Sequence, residues 1–421
     1  MNVRVGLWCG TVVVAALTAC GRGDTAALKG PYAKDVAQAI PMIEKATGLK
    51  FKRQPVVATR TRQQVHDFLE QRFKEDVSDS DITGEEILYR RLGLIPDTLD
   101  LRAFELRLLT EQVVGFYDPK TKVLYVVDGA PRDEVGFVVS HELVHALQDQ
   151  YMNLDSVQSV RGNNDRTLAA QAVIEGQAVL VPIQTAFGPG ADLPAGWDRV
   201  RDMVRQNKDR MPVFASAPMV LQEALIFPYL SGLEFMHNFE AQRPGQEPYA
   251  HMPTSTTQIL HDSAYFGSHP EQPLGITFAP PARGSVLYTD NLGEFETRLF
   301  LFQHLQDQTE AVRGAAGWQG DRYEVIRTPR GDGIAWLSLW DGAVESAQFG
   351  SDVEQVIARR FNSPTAQESV LGKSYSVNGR TITVWGGEVG GHAAVLYTDL
   401  PAGESASIVK VSAATVAPEA R

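Results

Sequence analysis

The run FVVSHELVHALQDQ (137–150) constrains this chain more than any other stretch. It holds His141 and His145 four residues apart with Glu142 between them, the spacing HExxH. On an α-helix, positions i and i+4 lie one above the other, so both imidazoles can aim a nitrogen at one ion. Glu142 stands about 100° around the helix from His141, where it can reach a water on that ion without ligating the ion. It therefore reads as a general base. The flanking residues agree with a helix: Pro131 and Asp133 supply start signals, no Gly or Pro interrupts 137–150, and Ala146 and Leu147 are good helix formers. The competing reading is a solvated helix that carries two histidines by chance. Against it stand Phe137, Val138, Val139, Leu143 and Val144, an apolar setting in which unliganded imidazoles would need polar partners.

A catalytic zinc takes three protein ligands and keeps one position for water. Metzincin-type spacing fails here, because Gln148 stands three residues after His145 where a Gly is required, and Tyr151 stands six after. The next helical run, 167–187, contains Glu175 in AVIEGQAVL, a lone charge among small apolar residues. Such a charge is ligated, paired, or turned to solvent on the polar side of its helix. Glu175 is the preferred third ligand; Asp149, Asp155, Asp165 and His261 compete. Asp149, four residues after His145, is better placed as a partner behind that imidazole.

With 421 residues, the chain can fill a large domain or two to three smaller ones. A formal net charge of -12 and the lack of any Lys/Arg cluster argue against nucleic acid as a partner. The N-terminus reads as a targeting segment: Arg4, then an apolar stretch over 5–16 short for a membrane span, then Leu17-Thr18-Ala19-Cys20. That tetrapeptide resembles the lipobox of bacterial lipoproteins, which implies cleavage before Cys20 and lipidation of Cys20. Gly21, in place of Asp, directs the expectation to the outer membrane, facing the periplasm. Cys9 would leave with the leader, so the mature chain would hold no internal disulfide.

The expected order is leader 1–19, tether 20–45, a mainly helical domain 46–317, a small α+β region 318–400 and a disordered tail 401–421. Apolar spacing predicts helices over 60–74, 83–94 and 101–114, then a hairpin with strands at 113–117 and 123–127 that leads into the motif helix. That hairpin is either an interior element or an edge that pairs with an extended substrate. Residues 211–240 read as helical with Pro228 kinking or dividing the run, and 292–308 as another amphipathic helix. The stretch 243–281 reads as a long loop of the kind that forms lids. Within it, His261 and Tyr265 are candidates to stabilise a transition-state oxyanion.

HELVHALQDQ followed by an EG-x-A helix resembles a family of predicted bacterial zinc metallopeptidases of the gluzincin type. The resemblance extends through GFYDPKTKVLYV (115–126), PTSTTQILH (253–261) and GWQGDRY (317–323), about two thirds of the chain. It implies an α+β, zincin-like fold, Zn2+ held by His141, His145 and Glu175, and Glu142 as catalytic base. Gln177 departs from a common Asp of that family and Thr257 from a common Glu. The reading is thus an envelope-tethered peptidase acting on protein or peptide substrates. The alternatives are a zinc-containing envelope lipoprotein that acts as a chaperone or assembly factor, with His261 closing a four-ligand site, and a hydrolase acting on a non-protein amide of the wall.

Overall fold

Polar caps and apolar stripes set the first helices. The computed structural model describes residues 8–9, 31–158, 160–188 and 211–419. Helix α1 spans Ala33–Thr47 and ends on Gly48, which takes the left-handed conformation at φ 71°. Its Val36 and Ile43 are buried, so much of the stretch expected to be a tether is packed helix instead. Thr61 and Gln64 form a capping box that starts α2 (Arg62–Asp76). Ser78 caps α3 (Asp79–Leu92) and Asp100 caps α4 (Leu101–Gln112).

A small sheet follows. Strands β3 (Gly115–Asp118) and β4 (Val123–Val127) form the expected antiparallel hairpin, and β2 (Val56–Arg60) adds to β4 in parallel. The pair β1 (Trp8–Cys9) lies antiparallel on the other edge of β3, with Trp8 opposite Tyr117. Apart from these two residues, the expected leader lies outside the described residues, as does Cys20.

Helix α5 (Arg132–Gln148) carries the motif, and the short α6 (Leu154–Gln158) leads to α7 (Asn164–Phe187). Asn163 caps α7 by accepting from the Arg166 amide. This helix is buried from Leu168 to Ala178 without a break, as expected of an apolar helix with no solvated face. On one side it meets α5, on the other α9 (Met219–Gln242), which follows the short α8 (Pro212–Ser216). Helix α9 runs unbroken past Pro228, so that proline does not divide the segment. The two long helices touch backbone to backbone: a Cβ on Gly176 would lie 2.1 Å from the Gly232 carbonyl oxygen, and one on Gly232 would lie 1.9 Å from that of Ala172. Only glycine permits this approach.

The expected loop over 243–281 holds short elements: α10 (Thr256–Leu260), α11 (Asp262–Phe266) and β5 (Leu274–Thr277). Strand β6 (Ser285–Asp290) then precedes α12 (Gly293–Leu305) and α13 (Gln308–Ala315). Strands β7 (Trp318–Thr328) and β8 (Gly331–Trp340), helix α14 (Ala343–Arg360), and strands β9 (Ala366–Ser369), β10 (Gly372–Val377), β11 (Arg380–Val389) and β12 (His392–Pro401) complete an antiparallel sheet of order β6-β7-β8-β12-β11-β10-β9. Because β6 pairs with β7, the expected boundary at 317/318 cuts this sheet. The tail is ordered as far as residue 419: Ile408 and Val409 are buried against the sheet, and β13 (Thr415–Pro418) pairs with β5. One apolar core runs from Val65 of α2 through Phe235 of α9 to Tyr397 of β12, so the C-terminal sheet packs on the helical part. The fold is α+β. Among the described residues no helix is long and apolar enough to cross a membrane.

Candidate metal centre

The i,i+4 spacing on α5 stacks His141 and His145 at 4.7 Å between ring centroids, with ring planes nearly perpendicular at 86°. Both are fully buried, and their Nε2 atoms approach to 3.1 Å. From α7, Glu175 brings its Oε2 to 3.2 Å from His141 Nε2 and 3.5 Å from His145 Nε2. Two nitrogens and one carboxylate oxygen, from two helices, thus face one point. Ligands on a tetrahedral ion with bonds of 2.0–2.1 Å would stand about 3.3 Å apart, so the three separations suit a common ion. This buried group could hold a metal ion.

The electrostatics agree. Burial disfavours charge on each member, and for His141 it prevails, so the pKa falls despite Glu175 nearby. At His145 burial again opposes charge, but the Glu175 carboxylate, Glu142 and the Gln148 amide together outweigh it and the pKa rises. Burial pushes Glu175 up, but the imidazoles, His145 foremost, more than offset it and leave the carboxyl below its ordinary value. A cation at their focus would supply the positive charge that this carboxylate draws from the histidines.

Glu142 is fully buried beside the pair, and the start of β3 abuts it: a Cβ on Gly115 would lie 3.6 Å from Glu142 Cγ. Phe137 and Tyr229 flank His141, their rings within 26° of parallel and 6.5 and 6.3 Å away. Tyr229 comes from α9, three residues before Gly232, whose backbone contact with α7 allows the two helices their close approach. Sequence reasoning missed Tyr229, because its place depends on a contact between distant segments.

The partner behind His145 is Gln148, not Asp149. Gln148 Oε1 lies 2.8 Å from His145 Nδ1, and Gln148 Nε2 donates to the Ile174 carbonyl at 3.0 Å and to Gln177 Oε1 at 2.9 Å. Asp149 instead accepts from Tyr117 Oη at 2.7 Å and Lys122 Nζ at 2.6 Å. The i+3 residue on α5 faces α7, whereas the i+4 residue, at the helix end, turns to β3 and the turn that follows it.

His261 and Tyr265 are not brought to the triad. His261 Nε2 lies 2.9 Å from Glu294 Oε1 and 2.9 Å from the Arg298 guanidinium. Tyr265 is packed against Phe235 and Phe266, and its hydroxyl donates to the His251 carbonyl at 2.5 Å. Of the competing ligands, Asp165 accepts from the amide and hydroxyl of Thr256, and Asp155 is exposed. Thr257 is buried on α10, next to Thr256.

Residues 284–409 match a family described as a domain of unknown function (DUF8575). The match covers the C-terminal sheet with α12 to α14 and stops short of the triad. No curated protein and no solved structure matches this chain.

Proposed function

We propose that this chain is a zinc-dependent peptidase of the zincin type, tethered to the bacterial envelope through a lipid on Cys20. What supports the reading is the focus of His141, His145 and Glu175, with Glu142 one residue from the first ligand. Among the described residues no further His, Cys, Asp or Glu joins the three, the arrangement of sites that keep a coordination position for water or substrate. A zinc ion held there supplies Lewis acidity, polarising a carbonyl and lowering the pKa of water to about 7.

The remaining steps belong to the chain. Glu142 takes a proton from water as its oxygen adds to the scissile carbonyl carbon. It then passes that proton to the amide nitrogen as the C–N bond breaks, giving one acid and one amine. Tyr229, over His141, takes the oxyanion-stabilising role expected of His261 and Tyr265. The substrate is a protein or peptide of the envelope.

The test compares the envelope proteins of cells that carry wild type or Glu142→Gln. The reading predicts polypeptides that persist uncut only with the variant. Identical fragment patterns in the two strains would refute it.

A further inference from the structure

A line of neutral hydrogen bonds runs from the triad to the short turn at Pro248–His251, whose Ala250 and His251 are exposed while Pro248 is buried. His145 Nδ1 meets Gln148 Oε1, Gln148 Nε2 donates to Gln177 Oε1, and the Tyr249 hydroxyl donates to the same Gln177 oxygen. Gln148 is fully buried and Gln177 nearly so, at 5% exposure. Around them the turn is open: Glu247, Ala250 and His251 are exposed, while Tyr249 reaches inward.

The direction of this line is fixed by one backbone group. The Ile174 carbonyl can only accept, so the Gln148 atom 3.0 Å from it must be the amide nitrogen. Gln148 Oε1 therefore faces His145, and Nδ1 of His145 must carry the proton. That leaves the lone pair of His145 on Nε2, the atom that faces His141 and Glu175. The tautomer needed for ligation is thus set by Gln148, and Gln148 is itself held at its far end by Gln177 and Tyr249.

We propose that Tyr249 is a positioning residue for the metal centre, acting through Gln177 and Gln148 on the orientation of His145. The inference rests on the triad's being a metal site and is independent of what the site cleaves. It also gives Gln177 a role. In place of the Asp expected at that position, an uncharged amide carries the link. The segment around Tyr249 is joined to His145 by three hydrogen bonds, so a change in that turn would reach the imidazole that is to hold the metal.

The test uses full-length protein and Co2+, whose visible absorption reports ligand geometry. Co2+ affinity is measured against a competing chelator for wild type, Tyr249→Phe, Gln148→Leu and the double variant. Removing a partner of a ligand histidine weakens metal binding by about 10- to 100-fold, which is the expectation for Gln148→Leu. For Tyr249→Phe, losing one hydrogen bond predicts about three- to tenfold weaker binding and a changed cobalt spectrum. Because Tyr249 acts through Gln148, the double variant should bind within about twofold of Gln148→Leu alone. An unchanged spectrum and affinity for Tyr249→Phe, or additive losses in the double variant, would overturn the link and leave the metal centre standing. A wild-type protein that takes up no Co2+ would overturn both.

Discussion

Gly176→Ala isolates the contact on which the geometry of the centre depends. The new Cβ would stand 2.1 Å from Gly232 O and 2.2 Å from Gly232 C, against 3.4 Å or more for ordinary contact. The clash is with backbone, so neither atom can swing away, and α7 and α9 must part by about 1.3 Å, the difference between 3.4 and 2.1 Å. In an unencumbered helix the same change would stabilise by about 0.8–1.0 kcal/mol through propensity. Overpacking costs about 1–3 kcal/mol, and a backbone clash belongs at or above the upper end, so the net effect should be a loss of about 2 kcal/mol. Urea unfolding of the metal-free protein reads this without the added stability that a bound ion would give. Glu175 adjoins the substituted residue, and metal bonds tolerate shifts of only about 0.2 Å. Metal affinity should therefore fall by at least about tenfold. A variant as stable as wild type, or stabilised by the amount that propensity predicts, would refute the backbone contact.

Glu142→Gln should keep its metal, measured by elemental analysis, while losing about a hundredfold or more in peptide cleavage. For Tyr229→Phe, kcat should fall by about 100-fold with metal content unchanged, as for loss of one oxyanion donor. Asp149→Asn should lower stability by about 1–2 kcal/mol in urea, because it weakens the buried bond to Tyr117 and the partly exposed ion pair with Lys122, and should leave metal stoichiometry at the wild-type level. A drop in stoichiometry would restore Asp149 as the partner of His145. His304 is pushed from 6.5 down to about 4 by burial and the charge of Arg360. Its neutral form therefore contributes stability that is full above pH 6.5 and lost as pH falls through that value towards 4, up to about 3 kcal/mol. His304→Gln lacks this loss, so its unfolding free energy should gain on wild type by that amount between pH 6.5 and 4; parallel profiles would contradict the assignment.

What the chain disclosed in advance was local or was marked by charge. The motif helix, the hairpin ahead of it and the amphipathic helices α2 to α4 follow from short-range periodicity and caps. Glu175 stood out because a carboxylate in an apolar helix needs a partner. Gln148 and Gln177 gave no such sign, since a neutral amide is unremarkable anywhere in a sequence, and the four-residue spacing from His145 points to Asp149 instead. Tyr229 reaches His141 only because Gly176 and Gly232, 56 residues apart, allow two helices to touch. The tail differs from expectation for a related reason. Its terminal position suggests disorder, but Ile408, Val409 and Ala414 find a sheet face that is built from strands far back in the chain.

The most direct measurement is the metal content of the purified full-length protein beside that of Glu175→Ala. The account predicts one zinc per chain in wild type and a content well below one in the variant. Metal-free wild type, or equal zinc in both proteins, would contradict it.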